Sequence, residues 1–310
     1  MPASHVLFRL IAVFVLSTAA FSAQFTQVVA FGDSLSDNGN TFTTSAGVYP
    51  MSPTTMGRQS SGFVAVEYLA QTLGVNLNDR AWIGATTGEG NSWDGGSVST
   101  RAGLPGMMSA LTEDLAGGLV IDPGALYVVW GGPNDILAIT SPADVPGVIT
   151  QAVTNLVTFT AILQGLGAQH IIVPGMPDLS LTPRAQFLDT IQPGTSAQLQ
   201  VVSLTFNQVL ATSLPGGATY FDTNGVFLNV YNNPGAYGFQ SVSTPCVVGS
   251  VVCATPSDYL FWDDVHPTTG AHKVLGDALA AAAVPEPSTW LTVLIGLGVV
   301  GMRVRHGMRT

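Results

Sequence analysis

A short apolar run that stops at a glycine constrains this chain more than any other feature. Residues 28–30 (Val-Val-Ala) lead into Phe-Gly-Asp-Ser-Leu at 31–35. A β-branched run that ends at glycine before Ser and Asp is typical of a buried strand that turns into a helix N-terminus. Open α/β sheets bind ligands at the carboxyl ends of their strands, where helix-start N–H groups can face an anion. This position makes Ser34 a candidate nucleophile.

The same residues allow a second interpretation. Residues 34–37 (Ser-Leu-Ser-Asp) also fit the Ser-x-x-acid pattern of a helix capping box. Capping residues are common and nucleophilic serines are rare, so the stretch taken alone favours a cap. The decision depends on whether the rest of the chain supplies groups that could activate Ser34.

Beyond this stretch, apolar runs of strand length alternate with segments of helical periodicity. Strands are predicted at 28–30, 79–85, 125–130, 170–174 and 219–222. Helices are predicted at 62–73, 104–115, 144–166, 196–214 and 268–283, and long loops at 36–60, 86–103 and 223–258. Continuous apolar strands are typical of a parallel sheet buried on both faces. The alternation predicts one domain with a three-layer α/β/α sandwich.

Both ends of the chain carry an apolar segment next to basic residues. Residues 1–23 place His5 and Arg9 before an apolar run and end in small residues, which is the pattern of a cleaved secretory signal. Residues 285–310 begin with Pro-Glu-Pro, continue with an apolar stretch and end in an arginine cluster. That stretch is shorter than the roughly 20 residues that span a bilayer, so composition alone allows a marginal tail anchor or a processed sorting tail. We expect the folded domain to occupy residues 24–284.

The order of elements in this tail resembles the PEP-CTERM sorting signal of exopolysaccharide-forming Gram-negative bacteria. The resemblance implies that an exosortase recognises and cleaves the tail during export. A signal peptidase is expected to cleave the secretory signal at the other end. It further implies a location at the outer surface or outside the cell. The short apolar segment would then be a transient anchor in the inner membrane.

The charge balance limits the partners of the domain between these ends. The chain has 19 acidic and nine basic residues, a net charge of −10 at pH 7. Four of the nine basic residues lie in the two ends, so the domain itself is more acidic still. A surface this acidic disfavours nucleic acid and anionic membranes, and it suits an exported, soluble protein.

The two cysteines of the chain, Cys246 and Cys253, lie close together in sequence. Export permits a disulfide between them, and closing so short a loop would add roughly 2–3 kcal/mol to stability. A metal site at this pair is not expected, because no neighbouring His or Cys completes a ligand set.

The segment 261–267 (Phe-Trp-Asp-Asp-Val-His-Pro) holds groups that could activate Ser34. A serine nucleophile needs a neutral imidazole to take its proton, and a carboxylate on the other ring nitrogen to orient that imidazole. His266 and Asp263 meet this need from one segment. The other histidines are less suitable because they lie in the removable ends, at a strand start or inside the last helix. Asp264 is a rival for the orienting carboxylate that spacing alone does not exclude.

Two further stretches could stabilise a developing negative charge. Asn134 follows Gly-Gly-Pro after the run at 125–130, and a side-chain amide on a sharp loop is a suitable oxyanion donor. Gly84 follows the apolar Trp82-Ile83, and the absence of a side chain would let its backbone N–H approach a substrate. Each is explained equally well, on its own, as a turn residue.

Taken together and in this order, Gly-Asp-Ser-Leu, a glycine block, Gly-x-Asn-Asp and Asp-x-x-His-Pro resemble the GDSL or SGNH hydrolase family over residues 27–283. The amino-acid sequences of the first and last blocks are similar to those of the phospholipase, lecithinase and haemolysin-type branch of this family. The resemblance implies a flavodoxin-like parallel sheet and no metal or cofactor. It also implies roles, with Ser34 as nucleophile, His266 as base and then acid, and Asp263 as its orienting partner. The oxyanion hole would consist of the Ser34 and Gly84 N–H groups and the Asn134 side chain.

Two departures from the family pattern bear on the shape of the pocket. Residues 83–85 read Ile-Gly-Ala where the family usually has Gly-Gly-Ala, and residues 60–62 read Ser-Ser-Gly where it usually has Ser-Asn-Gly. The prediction is therefore a secreted serine esterase or lipase whose substrate, a lipid or an acylated carbohydrate, stays open. The alternatives are a polysaccharide deacetylase-type esterase and a non-catalytic surface or matrix protein that keeps the fold.

Overall fold

The computed structural model describes residues 25–50, 53, 55–94 and 103–284. The predicted secretory signal at 1–23 and the predicted sorting tail at 285–310 lie outside the described residues. The elements below therefore all belong to the domain between them.

Five parallel strands form the central sheet. They are β1 (Gln27–Gly32), β2 (Asn76–Asp79), β3 (Leu126–Trp130), β4 (His170–Pro174) and β5 (Ala218–Phe221). Their order is β2-β1-β3-β4-β5, and every neighbouring pair is parallel. The chain starts inside the sheet and winds outward to both edges, which is the doubly wound, flavodoxin-like arrangement. The predicted parallel sheet is confirmed.

Helices follow the strands and cover both faces of the sheet. They are α1 (Asn40–Thr44), α2 (Ala65–Leu73), α3 (Met107–Ala116), α4 (Pro133–Leu137), α5 (Val145–Gly165), α6 (Pro183–Ile191), α7 (Thr195–Ser213), α8 (Thr223–Asn232) and α9 (Thr269–Ala283). Single-turn 3₁₀ helices occur at Ser92–Asp94, Pro142–Asp144, Leu179–Leu181, Pro234–Tyr237 and Pro256–Asp258.

Alternate residues of the central strands enter two separate apolar layers. Val29 and Phe31 of β1 pack with Phe159 of α5 on one face of the sheet. Val28 and Ala30 of the same strand belong to the layer on the other face, which includes residues of α2 and α9. Because neighbouring strand residues point to opposite faces, a strand that is apolar throughout must be covered on both sides. The predicted three-layer sandwich is confirmed.

The second predicted strand, at 79–85, is wrong in its position. The strand is Asn76–Asp79, and the chain beyond it is irregular. The Arg80 and Trp82 N–H groups still donate to carbonyls of β1, at 2.7 and 3.0 Å. On the other side, however, the Asn40 side chain donates to the carbonyls of Asp79 and Ala81, at 3.1 and 3.0 Å. The Asn40 side chain thus supplies hydrogen-bond donors where a further strand would otherwise pair.

The predicted loop at 223–258 contains regular structure that the sequence pattern did not indicate. Helix α8 begins there, and the Asp222 carboxylate caps it by accepting the Gly225 N–H at 2.9 Å. Phe227 and Val230, three positions apart, bury one side of this helix. Glycine and asparagine lower the helical propensity of the segment, so packing on the sheet and not local preference stabilises it.

Four short strands near the end of the chain lead into the segment that carries His266. They are β6 (Ser241–Pro245), β7 (Val247–Val248), β8 (Val251–Val252) and β9 (Tyr259–Phe261). Strand β6 pairs with β9, and β7 pairs with β8 in a hairpin that a Cys246–Cys253 disulfide closes. The Cys246 and Val247 N–H groups donate to the Phe261 and Trp262 carbonyls, at 3.0 and 2.7 Å. The hairpin is therefore attached directly to the start of the His266 segment.

Candidate active site

Ser34 lies in a tight turn at the carboxyl end of β1. The Ser36 and Asp37 N–H groups donate to the Asp33 carbonyl, both at 3.0 Å, and the Leu35 N–H donates to Asp33 Oδ1 at 3.0 Å. Gly32 is required just before this turn, because a Cβ there would lie 2.6 Å from the Trp130 carbonyl oxygen.

The capping interpretation of residues 34–37 is wrong. The next helix, α1, begins only at Asn40, and its N-cap is Gly39. The Ser34 hydroxyl instead forms a hydrogen bond with the ring of His266, which lies 232 positions away in the sequence. A contact over this distance cannot be inferred from local spacing.

Ser34, His266 and Asp263 form one continuous chain of hydrogen bonds. Ser34 Oγ lies 2.8 Å from His266 Nε2, and His266 Nδ1 lies 2.8 and 2.9 Å from the two oxygens of Asp263. Asp263 Oδ1 also accepts the backbone N–H groups of Val265 and His266, at 2.9 and 2.7 Å. With the Nδ1 proton held by the carboxylate, Nε2 is free to accept the serine proton.

Burial and charge act in opposite directions on the two ionisable groups of this chain. Burial by itself would lower the pKa of His266, but the charge and hydrogen bond of Asp263 raise it above the ordinary value. Burial would raise the pKa of Asp263, whereas His266 and the two backbone N–H donors bring it below the ordinary value. The net effect favours an ionised carboxylate beside an imidazole that readily gains a proton.

Asp264, the rival carboxylate, points away from His266. Its two oxygens lie 2.8 Å from Arg184 Nε and 3.3 Å from Arg184 Nη2. The Arg184 backbone N–H also donates to the Asp264 carbonyl at 2.8 Å. Asp264 therefore attaches the His266 segment to the start of α6, and Asp263 alone of this pair contacts the imidazole.

Asn134 lies in the first turn of α4, directly after β3. Its Nδ2 donates to the Ala85 carbonyl at 3.0 Å, and its Oδ1 accepts the Ser92 hydroxyl at 3.2 Å. One Nδ2 proton remains for a substrate, because an amide nitrogen carries two. Asn134 borders the same cavity as Ser34 and His266.

Gly84 has a left-handed backbone with φ of 76°, and a Cβ there would lie 2.3 Å from Trp93 and 2.5 Å from Asn91. Glycine is thus the residue type that this position accepts. Within the described part of the chain, the N–H groups of Gly84 and Ser34 donate to no protein acceptor. Gly84 does not itself border the cavity, which Trp93 and Ser92 line on this side.

Asp37 connects the Ser34 turn to the Gly84 loop, a role that the sequence analysis missed. Its buried carboxylate accepts the N–H groups of Gly39, Asn40 and Thr41, at 2.8, 2.7 and 3.1 Å, and the Thr41 hydroxyl at 2.5 Å. It also accepts the Ile83 N–H at 3.0 Å. Burial nevertheless raises the pKa of Asp37 above the ordinary value. The available signal was the Asp-Asn-Gly-Asn pattern at 37–40, which is typical of a turn held by a side chain.

Two more buried carboxyl groups lie around Ser34. Burial raises the pKa of Asp33 to about 7, and its Oδ2 has no hydrogen-bond partner within the described part of the chain. Burial also raises the pKa of Asp135 to about 6, although the backbone N–H and hydroxyl of Thr87 donate to it at 2.9 and 2.8 Å. Asp263 is the carboxylate in hydrogen-bond contact with the imidazole, and burial disfavours charge on these other two.

A cavity of about 630 Å³ opens onto Ser34 and His266. Much of its wall is apolar, with Leu137, Leu179 and Phe227 among the lining side chains. Arg184 and Asp178 are charged residues on the wall. A cavity of this size with an apolar wall and few polar groups is suited to a small organic substrate or an acyl chain.

A family model described as GDSL-like lipase/acylhydrolase matches residues 28–279. The chain belongs to this family. The match begins within the first strand and ends within the last helix, so it covers nearly all of the described domain. A second model, the PEP-CTERM protein-sorting motif, matches residues 283–309. That motif indicates export from a Gram-negative bacterium with a C-terminal sorting signal.

Relatives of the GDSL domain occur in bacteria and plants. The chain is 26% identical to the thermolabile hemolysin of Vibrio parahaemolyticus, over 83% of this chain and 63% of that protein. It is 27% identical to a GDSL esterase/lipase of Arabidopsis thaliana, over 84% of this chain and 88% of that protein. The chain spans 51–63% of the length of three of the curated relatives that it matches.

Among solved structures, an acetyl-xylooligosaccharide esterase of Geobacillus matches 86% of this chain and 97% of its own. The sequence identity is 13% and the TM-score is 0.47.

Proposed function

We propose that this protein is a secreted serine esterase that hydrolyses carboxylic esters through an acyl-enzyme on Ser34. The observation that carries the proposal is the hydrogen-bonded chain from Ser34 Oγ through His266 to Asp263 at the wall of a cavity. Membership of a lipase and acylhydrolase family supports it. The intact triad geometry argues against the alternative of a non-catalytic surface or matrix protein.

In the first half of the reaction, Ser34 Oγ attacks the ester carbonyl carbon and its proton passes to His266 Nε2. Asp263 stabilises the resulting imidazolium through Nδ1. The carbonyl oxygen gains the negative charge, for which the Ser34 N–H group and the Asn134 amide, both on the cavity wall, are the proposed donors. The Gly84 N–H group, the third predicted donor, lies behind the cavity wall and would have to reach the oxygen past Ser92 and Trp93. The carbon–oxygen bond of the ester then breaks, and the alcohol leaves with the proton from Nε2.

In the second half, a water molecule attacks the acyl carbon and transfers a proton to His266 Nε2. The bond to Ser34 Oγ breaks and the serine regains the proton, so the free acid leaves and the enzyme is restored. Every proton is moved by one imidazole nitrogen, which alternates between base and acid.

The first experiment compares residues 24–284, produced in an oxidising compartment, with the Ser34→Ala variant on p-nitrophenyl esters of short and long acyl chains. We expect turnover to disappear in Ser34→Ala. Ser36→Ala is a matched control, because this neighbouring hydroxyl is buried with no hydrogen-bond partner in the described residues. Asn134→Ala should lower kcat about 10²–10³-fold, as loss of one oxyanion donor does. Equal activity in the wild type and Ser34→Ala would refute the proposal.

The acyl-chain preference measured in the same assay separates the remaining alternatives. Preference for acetyl esters would favour the polysaccharide deacetylase-type enzyme, and preference for long chains would favour a lipase. We further propose that a signal peptidase and an exosortase-type enzyme process the two ends, with release at the outer surface. Mass spectrometry of the mature protein from the native host should then show a chain that lacks both predicted segments.

A further inference from the structure

Helices α6 and α7 form a hairpin whose outer surface differs from the rest of this acidic chain. Between residues 183 and 213 the only charged side chains are Arg184 and Asp189, in a chain of net charge −10. Both are engaged within the protein. Arg184 pairs with Asp264, and Asp189 Oδ1 accepts the N–H groups of Gly194 and Ser196 at 2.9 and 3.1 Å. The hairpin therefore carries few charges, namely the exposed Arg184 that is paired with Asp264 and the hydrogen-bonded carboxylate of Asp189.

Four large apolar side chains project from this hairpin. Phe187 and Ile191 of α6 are 64% and 67% exposed, and Val201 and Leu204 of α7 are 63% and 47% exposed. The two helices pack against each other, so all four side chains belong to one packed unit. Single exposed apolar residues are ordinary on a protein surface, but a group of them without charges marks an interaction surface. We refer to these four residues as the α6–α7 face.

The α6–α7 face begins at the rim of the active-site cavity. Thr182 and Arg184, at the start of α6, line that cavity. Phe187 and Ile191 follow Arg184 at three and seven positions, which places all three on one side of the helix. A partner that binds the α6–α7 face therefore lies beside the entrance of the cavity that contains Ser34.

We propose that the α6–α7 face seats the enzyme on the surface of a zwitterionic lipid aggregate, from which an ester-bearing chain enters the cavity. The inference rests on the proposed esterase function. It adds that the ester reaches the active site from a lipid aggregate and not as a dissolved molecule. Charge favours this occupant, because the four residues of the face are apolar and the neighbouring Arg184 is paired with Asp264, whereas the acidic remainder of the chain is repelled by anionic surfaces. The apolar cavity wall, including Leu137 and Phe227, is suited to the acyl chain that would follow.

Vesicle flotation with the Ser34→Ala variant tests this proposal without any chemistry. The experiment uses residues 24–284, because the sheet and both apolar layers are complete within them and the apolar ends would bind lipid by themselves. We expect binding to phosphatidylcholine vesicles. Adding Phe187→Ser and Ile191→Ser should lower the bound fraction at least about tenfold, because two large apolar side chains no longer enter the lipid.

The matched control replaces two exposed apolar residues at the opposite end of the strands from the active-site cavity. Val120 and Leu166 are 83% and 48% exposed, and they precede the N-terminal ends of β3 and β4. Val120→Ser with Leu166→Ser should leave vesicle binding unchanged. No binding by the Ser34→Ala protein, or an equal loss in both pairs, would overturn the proposal. A dimer that only the α6 pair dissociates, without vesicle binding, would assign the face to a second copy instead.

Kinetics with Ser34 intact separates this inference from the proposed function. The α6 pair should keep the kcat/KM of the wild type on soluble p-nitrophenyl acetate and lose about tenfold on a dispersed long-chain ester. An equal loss on both substrates would contradict the surface role. If the wild type hydrolyses no ester at all, the proposed function fails, and flotation alone then decides whether the face binds lipid.

Discussion

Two loops bring the three residues of the proposed triad together, and the protein holds these loops in different ways. The loop at 33–41 carries Ser34 and is organised from inside by Asp37, whose side chain is completely buried. The segment at 262–267 carries Asp263 and His266 and is attached at the surface by the Arg184–Asp264 pair, whose side chains are 43% and 51% exposed. We call these the nucleophile loop and the histidine segment.

The nucleophile loop depends on the protein core more strongly than the histidine segment does. Removing a buried carboxylate leaves several N–H groups without an acceptor, and each of these costs about 1–3 kcal/mol. An exposed ion pair contributes only about 0.2–1 kcal/mol. The nucleophile loop is therefore part of the folding unit, whereas the histidine segment tolerates the loss of its surface attachment.

The largest expected effect separates the two adjacent carboxylates of the histidine segment. Asp263→Asn should lower kcat about 10⁴-fold, because the imidazole loses the partner that holds its tautomer and its charge. Asp264→Asn should change kcat by no more than about threefold, since it weakens only an exposed ion pair. Both variants are measured on the same p-nitrophenyl ester, and similar losses in the two would contradict the assignment of Asp263.

The second prediction tests the stability of the two loops directly. Asp37→Ala should lower the free energy of unfolding by about 3–5 kcal/mol, because five donors lose one buried acceptor group. Asp264→Ala should lower it by less than about 1 kcal/mol. Urea denaturation of both variants beside the wild type gives the comparison. If Asp37→Ala were as stable as Asp264→Ala, the two loops would not differ as we describe.

The third prediction concerns stability and pH at the base of the nucleophile loop. The pKa of Asp33 is raised from 3.8 to about 7, so the folded protein holds this proton more tightly than the unfolded chain does. Stability is then highest below the unfolded pKa and falls as the pH rises towards 7, by about 1.4 kcal/mol per pKa unit. Asp33→Asn should flatten this decline between its unfolded pKa of 3.8 and its folded pKa of about 7 in urea denaturation. An unchanged slope would show that Asp33 does not cause it.

The smallest expected effect is a shift in the pH midpoint of activity, which depends on the pKa of His266. Catalysis needs neutral His266, whose pKa is raised. The midpoint of kcat/KM should therefore lie above the ordinary histidine value of about 6.5, with activity rising as the pH increases. In Asp263→Asn the residual activity should have a midpoint at lower pH. The stability from protonated His266 has the opposite trend, because it is complete below about pH 6.5 and is lost as the pH rises through the raised pKa.

Several features of this protein follow from its sequence alone. The short apolar runs predicted a parallel sheet because strands buried on both faces must be apolar throughout. The order of the four motif blocks indicated the family, since acyl transfer needs particular residue types and few substitutes exist. The position of β2 and the presence of α6 and α8 were not predictable in the same way. Their residues have weak local preferences, and contacts with distant segments decide their structure.

Within the site, the sequence determined the candidate groups and the tertiary structure decided among them. Spacing left Asp263 and Asp264 equal, and the attachment of Asp264 to Arg184 of α6 separates them. Local pattern favoured a cap at Ser34, and the contact with His266 places its hydroxyl elsewhere. The role of Asp37 and the apolar α6–α7 face also appear only in three dimensions. The contacts that decide between Asp263 and Asp264 and that place the Ser34 hydroxyl join residues 80 and 232 positions apart, and local sequence does not reveal such contacts.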